Sequence, residues 1–287
     1  IDPSDLSLKR AKERFEEMEY NNKVYYRKEY VNLPSFFEIG IISTPSNCRL
    51  SIVKNIKSKL KMKRLILEKL LAQSCIDINQ IKLELAFMKD KTWVNMPRRS
   101  MKWYKSIKFE LKNYLNSPIK VVVEGNEWGL ACNSIHFIDL VSWLTNSEAI
   151  SCHTNKLLKW SESQRKGFYD INGELIVNFS DNSLLNLISY ENKLNTGVKI
   201  TINTEENEWV IDESNGLLIK DNKLILEGRI ELQSELTNNL ISSILSTDKC
   251  DLTPLNQACI SHNILIGSLL THWNQYMKTK DAIVPIT

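Results

Sequence analysis

"FFEIGIISTPSN", residues 36–47, is an apolar run that stops abruptly at Ser-Thr-Pro-Ser. "KRLILEK" (63–69) and "TWVNMPRR" (92–99) repeat the pattern: a short apolar run without alternation, then polar residues. Strands buried on both faces read this way. Thr44 or Ser46 stands where a helix cap is needed, and the spacing predicts a helix through about Lys57. Strands alternating with helices imply parallel pairing, because parallel neighbours need a crossover connection. The first part of the chain therefore reads as an open α/β sheet.

Working outward, "SDLSLKRAKERFEEMEY" (4–20) places Leu8, Ala11, Phe15 and Met18 at helical spacing, with Ser4 or Asp5 as cap. This predicts an amphipathic helix lying on something. "NNKVYY" (21–26) predicts a turn and a short strand. "SMKWYKSIKFELKNYL" (100–115) reads as a helix whose Trp103, Tyr104 and Tyr114 pack a domain interface. "IKVVVEG" (119–125) follows as a strand and "WGLACNSIHFIDLVSWL" (128–144) as a helix. From about 148 to 226 the signals are hairpin-spaced strands, which imply an antiparallel sheet. They include two runs around the turn "SDNS" (180–183), "VKITINT" (198–204), "EWVIDES" (208–214) and "KLILEG" (223–228). Residues 231–246 and 252–277 close the chain as helices, the second capped by Thr253 with Pro254 at its first position. The expected fold class is α/β. An open parallel-sheet domain (1–98) precedes an α+β domain with a large, mostly antiparallel open sheet (99–287).

The totals bound the function. The 287 residues suffice for two domains with real cores, and 43% hydrophobic content is globular. A net charge of +3 is too mild to imply nucleic acid. "KNIKSKLKMKR" (54–64) lacks interleaved aromatics and reads as a solvated helix face and loop. No apolar run approaches the about 18–20 residues of a membrane helix, and no signal-peptide pattern opens the chain. Six cysteines without a C-x-x-C pair read as reduced thiols, giving a cytoplasmic expectation.

In open α/β sheets, ligands bind at the carboxyl ends of the strands. Those ends here carry "STPSN" and Glu68-Lys69, and Asp2 precedes the first helix. On the 128–144 helix, Cys132, Asn133, His136 and Asp139 form one polar stripe in an apolar segment. Burying such groups unpaired costs roughly 2–7 kcal/mol for a neutral one, more for a charge. His136 is the natural acid–base group, with Asp139 one turn later to orient it. Cys132 and His136 could hold a metal, but no third ligand accompanies them; Cys259 and His262 are in the same position. No metal is expected.

These residues together resemble the Gfo/Idh/MocA oxidoreductases, two-domain NAD(P)-dependent enzymes of sugars, nucleotide sugars and cyclitols. The motifs are a strand ending T-P-x-x ("STPSN", 43–47), a strand ending E-K-P ("EKL", 68–70), an Arg-rich segment ("NMPRR", 95–99) and D-x-x-x-H-x-x-D ("CNSIHFID", 132–139). The resemblance implies Lys69 and His136 as catalytic groups. It places Asp2, Thr44, Pro45, Asn47 and Glu68 on the cofactor, with Asp2 favouring NAD over NADP. Arg98, Arg99, Asn133 and Asp139 would face a sugar-like substrate. It further implies a homo-oligomer formed through the C-terminal sheet, with neither nucleic-acid nor membrane partners.

Three positions depart from the pattern. Cys132 stands for the family's aspartate, and Leu70 for its proline. The first strand with its G-x-G-x-x-G turn, which brings backbone N–H groups to the pyrophosphate, has no counterpart. The resemblance therefore implies an incomplete Rossmann-like domain over 1–98, and with isoleucine at position 1 the expectation is a fragment of a longer dehydrogenase or reductase. The alternative is a non-catalytic sugar-binding or scaffold protein derived from that family.

Overall fold

The structure is a computed structural model; it describes residues 1–18, 22–112, 117–191 and 197–287. The helices are α1 (Asp5–Glu16), α2 (Arg49–Lys59), α3 (Cys75–Glu84), α4 (Lys102–Leu111), α5 (Leu130–Thr145), α6 (Gln233–Thr247) and α7 (Leu255–Met277). The strands of the first half are β1 (Phe36–Phe37), β2 (Gly40–Ile42), β3 (Lys61–Met62), β4 (Leu65–Glu68) and β5 (Thr92–Asn95). Those of the second are β6 (Lys120–Asn126), β7 (Ala149–Glu162), β8 (Tyr169–Phe179), β9 (Leu184–Tyr190), β10 (Val198–Asn203), β11 (Glu208–Asp212), β12 (Leu217–Lys220), β13 (Lys223–Glu227) and β14 (Thr253–Pro254).

Two main sheets result. β2, β4 and β5 are parallel neighbours, with Ile41 opposite Ile66 and Leu67 opposite Val94. Leu65, Ile66 and Leu67 are buried in succession, the signature of a strand covered on both faces. The larger sheet runs β13-β12-β11-β10-β6-β9-β8-β7 and is antiparallel except for β6 beside β9. Its inner face alternates as period two demands: Leu185 and Leu187 on β9, Leu175 and Val177 on β8 and Val121 and Val123 on β6 are buried. The apolar side of α5 covers that face through Ile135, Ile138 and Val141. The fold thus combines a parallel-sheet layer with a large, mostly antiparallel open sheet, as the pattern of apolar runs requires.

Several local expectations are corrected. Residues 23–27 form no strand; the Arg27 carbonyl instead accepts the Asp2 N–H at 3.0 Å. Neither Thr44 nor Ser46 caps α2, whose N-cap is Cys48 without a side-chain bond. The Ser46 hydroxyl is drawn to the Ile286 carbonyl (2.5 Å), and the Ser46 N–H to Thr287 Oγ1 (3.1 Å). Thr253 and Pro254 lie in β14, paired with β5, and α7 begins at Leu255. Arg64, read as part of a solvated basic run, is buried and paired with Glu38 at 2.7 Å and with Asp248. Ser4 caps α1 as expected, yet α1 buries no residue; only Leu8 and Phe15 are partly covered. Trp103 and Tyr104 are core residues, whereas Tyr114 lies outside the described residues. All six cysteines are free thiols.

Candidate active site at the start of helix α5

The site begins with a tight turn. Gly129, the N-cap of α5, has φ +80°, a left-handed conformation that glycine adopts without penalty. A Cβ there would lie 2.8 Å from Asn133 Nδ2, 3.2 Å from Asp170 Oδ2 and 3.3 Å from Cys132 Sγ. Three polar groups therefore converge on the space that the missing side chain leaves. Trp128 anchors the turn: its Nε1 donates to the Ile188 carbonyl (2.7 Å), and its own carbonyl accepts from Asn133 Nδ2 (2.8 Å).

Lys69 reaches this turn from the carboxyl end of β4. Its Nζ donates to the Cys132 carbonyl and to Asn133 Oδ1, each at 2.9 Å. The peptide bond between Lys69 and Leu70 is cis. Burial lowers the Lys69 pKa, while Cys132, Glu68 and Asp170 pull it back up. An ammonium has three N–H donors, so one remains after these two bonds.

His136 lies one turn further along α5. Its Nδ1 is buried with no hydrogen-bond partner, and burial, together with Arg98, Lys69 and His262, holds its pKa well below the ordinary value. The imidazole is neutral, with a ring nitrogen to spare. Asp139 does not orient it. Its Oδ1 and Oδ2 accept from Arg99 Nη2 (2.6 Å) and Nε (3.1 Å), and Oδ1 also accepts from Thr253 Oγ1 (2.7 Å). Arg99 and Asp139 are 5% and 1% exposed, so they form a sealed ion pair rather than a substrate contact. Arg98 is likewise held, with Nε and Nη2 on the two oxygens of Glu213 (2.9 and 2.8 Å) and its guanidinium 4.2 Å from the Phe137 ring centroid. Tyr104 donates its hydroxyl to the same Glu213.

Two cavities flank the cluster. One, of about 640 Å³, is polar and includes Trp128, Gly129, Cys132, Arg165, Asp170 and Asn172 in its wall. The other, of about 470 Å³, runs along β2, the open edge of the parallel sheet. Asp2, Thr44 and Pro45 line it; Asn47 sits exposed in the turn before α2, and Glu68 accepts from Asn95 Nδ2 and Gln233 Nε2. The Asp2 carboxylate accepts the Ser4 N–H at 2.8 Å.

A dinucleotide fits these residues at one end. Thr44 Oγ1 is buried without a partner at the carboxyl end of β2, a polar group suited to a carboxamide. For the pyrophosphate there is no cradle among the described residues. Gly40 is the only glycine before Gly125, and the Ser46 N–H ahead of α2 is taken by Thr287. Among the described residues no cluster of histidine, cysteine and carboxylate could hold a metal, and no helix is long and apolar enough to cross a membrane.

Sequence reasoning missed Asp170, Glu213 and His262 as members of this neighbourhood. Asp170 stands alone at the start of β8, and no local spacing marks it. Only the pairing of β8 and β9 beneath α5 carries it to the helix start.

No protein-family model and no curated protein sequence matches the chain. Solved structures do. A putative oxidoreductase from Thermotoga maritima superposes with TM-score 0.67 at 13% identity, covering 94% of this chain and 88% of that one. Myo-inositol dehydrogenase from Lactobacillus casei, in complex with NAD(H) and myo-inositol, gives 0.65 at 15% identity, with 96% and 86% covered. A super-repressor mutant of Gal80p from Saccharomyces cerevisiae gives 0.65 at 14%, with 94% and 86% covered. The chain has the fold of the Gfo/Idh/MocA-type oxidoreductases.

Proposed function

We propose that the protein is an oxidoreductase that moves a hydride between a nicotinamide cofactor, NAD rather than NADP, and a secondary alcohol or ketone of a sugar-like polyol. The observation that carries this reading is Lys69: an ammonium at a strand's carboxyl end, fixed by two hydrogen bonds of 2.9 Å with one donor left over. Such a donor stabilises the negative charge that develops on a carbonyl or alcohol oxygen during hydride transfer. His136, neutral and with Nδ1 unpartnered, accepts or returns the hydroxyl proton. Thr44 and Pro45 would hold the nicotinamide end, with Glu68 beside it; when bound, that group supplies the hydride. The polar cavity beside Cys132 takes the substrate. Asn133 serves as the positioning residue for Lys69.

The test is NADH formation from a panel of polyols, beginning with myo-inositol, by the full chain and by Lys69→Ala and His136→Ala. Each substitution should lower kcat by about 10²-fold or more. Near-normal turnover in both variants would refute the assignment.

A second reading, a non-catalytic sugar-binding or scaffold protein, is favoured by Cys132, whose thiol burial keeps uncharged beside Lys69. It predicts polyol binding by calorimetry with no NADH formed and no dependence on the cofactor.

A further inference from the structure

The helix position that faces Lys69 one turn before His136 holds a thiol. Burial pushes the Cys132 thiol up, so it carries no charge near neutrality. A carboxylate nonetheless occupies this turn, delivered from the other sheet. Asp170, at the start of β8, accepts the Ala131 N–H and the Ile171 N–H on Oδ1, both at 2.8 Å. Lys69 docks on the very next residues, the Cys132 carbonyl and Asn133 Oδ1. Asp170 Oδ2 makes no hydrogen bond among the described residues and lies beside Cys132 Sγ and Asn133 Nδ2 above Gly129. Asp170 also lines the polar cavity.

We infer that Asp170 is a positioning residue, the counter-charge to Lys69 at the substrate cavity, standing in from β8 for a carboxylate that α5 lacks at Cys132. Its meaning for catalysis rests on the reading of Lys69 as the donor to the substrate oxygen. Glu68, on the same strand, also raises the Lys69 pKa, ahead of Asp170, but its carboxylate is bound by the Asn95 and Gln233 amides and does not line the polar cavity. Arg98 after β5 is paired with Glu213. His136 on α5 and His262 on α7 are held neutral by burial. Lys69 in turn helps to draw the Asp170 pKa back from the rise that burial imposes, as do the two backbone N–H groups.

Asp170→Asn separates charge from architecture, because its Oδ1 still accepts both N–H bonds. The experiment follows the titration of Lys69 by NMR in the full chain with isotope-labelled lysine, the resonance being assigned by its loss in Lys69→Arg. The Lys69 pKa should fall by about half a unit or more in Asp170→Asn. If Asp170→Asn does not fold, Asp170→Ser, whose hydroxyl can still cap α5, takes its place. An unmoved titration would overturn the inference whether or not the chain transfers hydride. A shifted titration in a chain without turnover would keep Asp170 as the counter-charge and remove the oxidoreductase reading instead.

Discussion

Helix α5 receives Arg99 near its middle and Lys69 at its start, and the two meet different fates. Near its middle, Arg99 finds both oxygens of Asp139, with Thr253 Oγ1 also donating to Oδ1 and Gln257 Oε1 at 3.4 Å from both Nη atoms. At its start, Lys69 meets a backbone carbonyl and an amide, and keeps one donor. The first arrangement uses its hydrogen-bonding groups inward and is sealed from solvent. The second leaves a Lys69 N–H, His136 Nδ1 and Asp170 Oδ2 unpartnered, and Asp170 lines the polar cavity. The difference teaches how to tell a structural charge from a working one on a single helix. What separates them is the partner: Arg99 is buried in an ion pair with Asp139, whereas half-buried Lys69 is fixed by two neutral acceptors.

The comparison can be broken most directly by stability. Arg99→Ala leaves Asp139 buried without its cation, which should cost about 3–5 kcal/mol in urea unfolding. Lys69→Ala, whose partners can turn to cavity water, should cost less than half as much. Equal losses would erase the distinction.

A smaller effect comes from the neutral histidines. Burial lowers the His262 pKa to about 3 from an ordinary 6.5, and His136 is shifted the same way. The unfolded chain takes up these protons as pH falls through 6.5, whereas the folded chain resists until its own lower pKa. Stability present at neutral pH is therefore lost on acidification, by up to about 1.4 kcal/mol per pH unit for each histidine. Urea midpoints measured between those limits should show the slope, and His262→Gln should flatten it. The smallest effect belongs to the turn. Gly129→Ala places a Cβ against Asn133 Nδ2 at a left-handed φ, costing about 1 kcal/mol by thermal melting and loosening the hold on Lys69. An unchanged melting point and unchanged turnover would show that the turn tolerates a side chain.

Much of this was legible before any coordinates. The buried runs Leu65–Leu67 and Thr92–Val94 announced parallel strands because nothing in them alternates. The two runs around the turn SDNS (180–183) likewise announced an antiparallel hairpin, which forms as β8 and β9. His136 and Lys69 could be singled out as polar groups in apolar surroundings. Misread were the groups whose partners lie far along the chain. Asp139 was paired with its helical neighbour His136, yet its partners are residues 99 and 253. Ser46 looked like a cap because Ser before an apolar stretch often is one, but residues 286 and 287 claim both its hydroxyl and its N–H.

The sequence by itself determined the kinds of elements, the two sheet types and which polar residues sit in apolar surroundings, since these follow from periodicity and local chemistry. Tertiary structure alone decided which charge neutralises which. It set Arg99 on Asp139 and Arg98 on Glu213, across separations of 40 and 115 residues, and brought the Asp170 carboxylate to the Ala131 N–H. Hydrogen bonds and ion pairs act over a few ångströms in space and are blind to distance along the chain, so no local pattern can announce them.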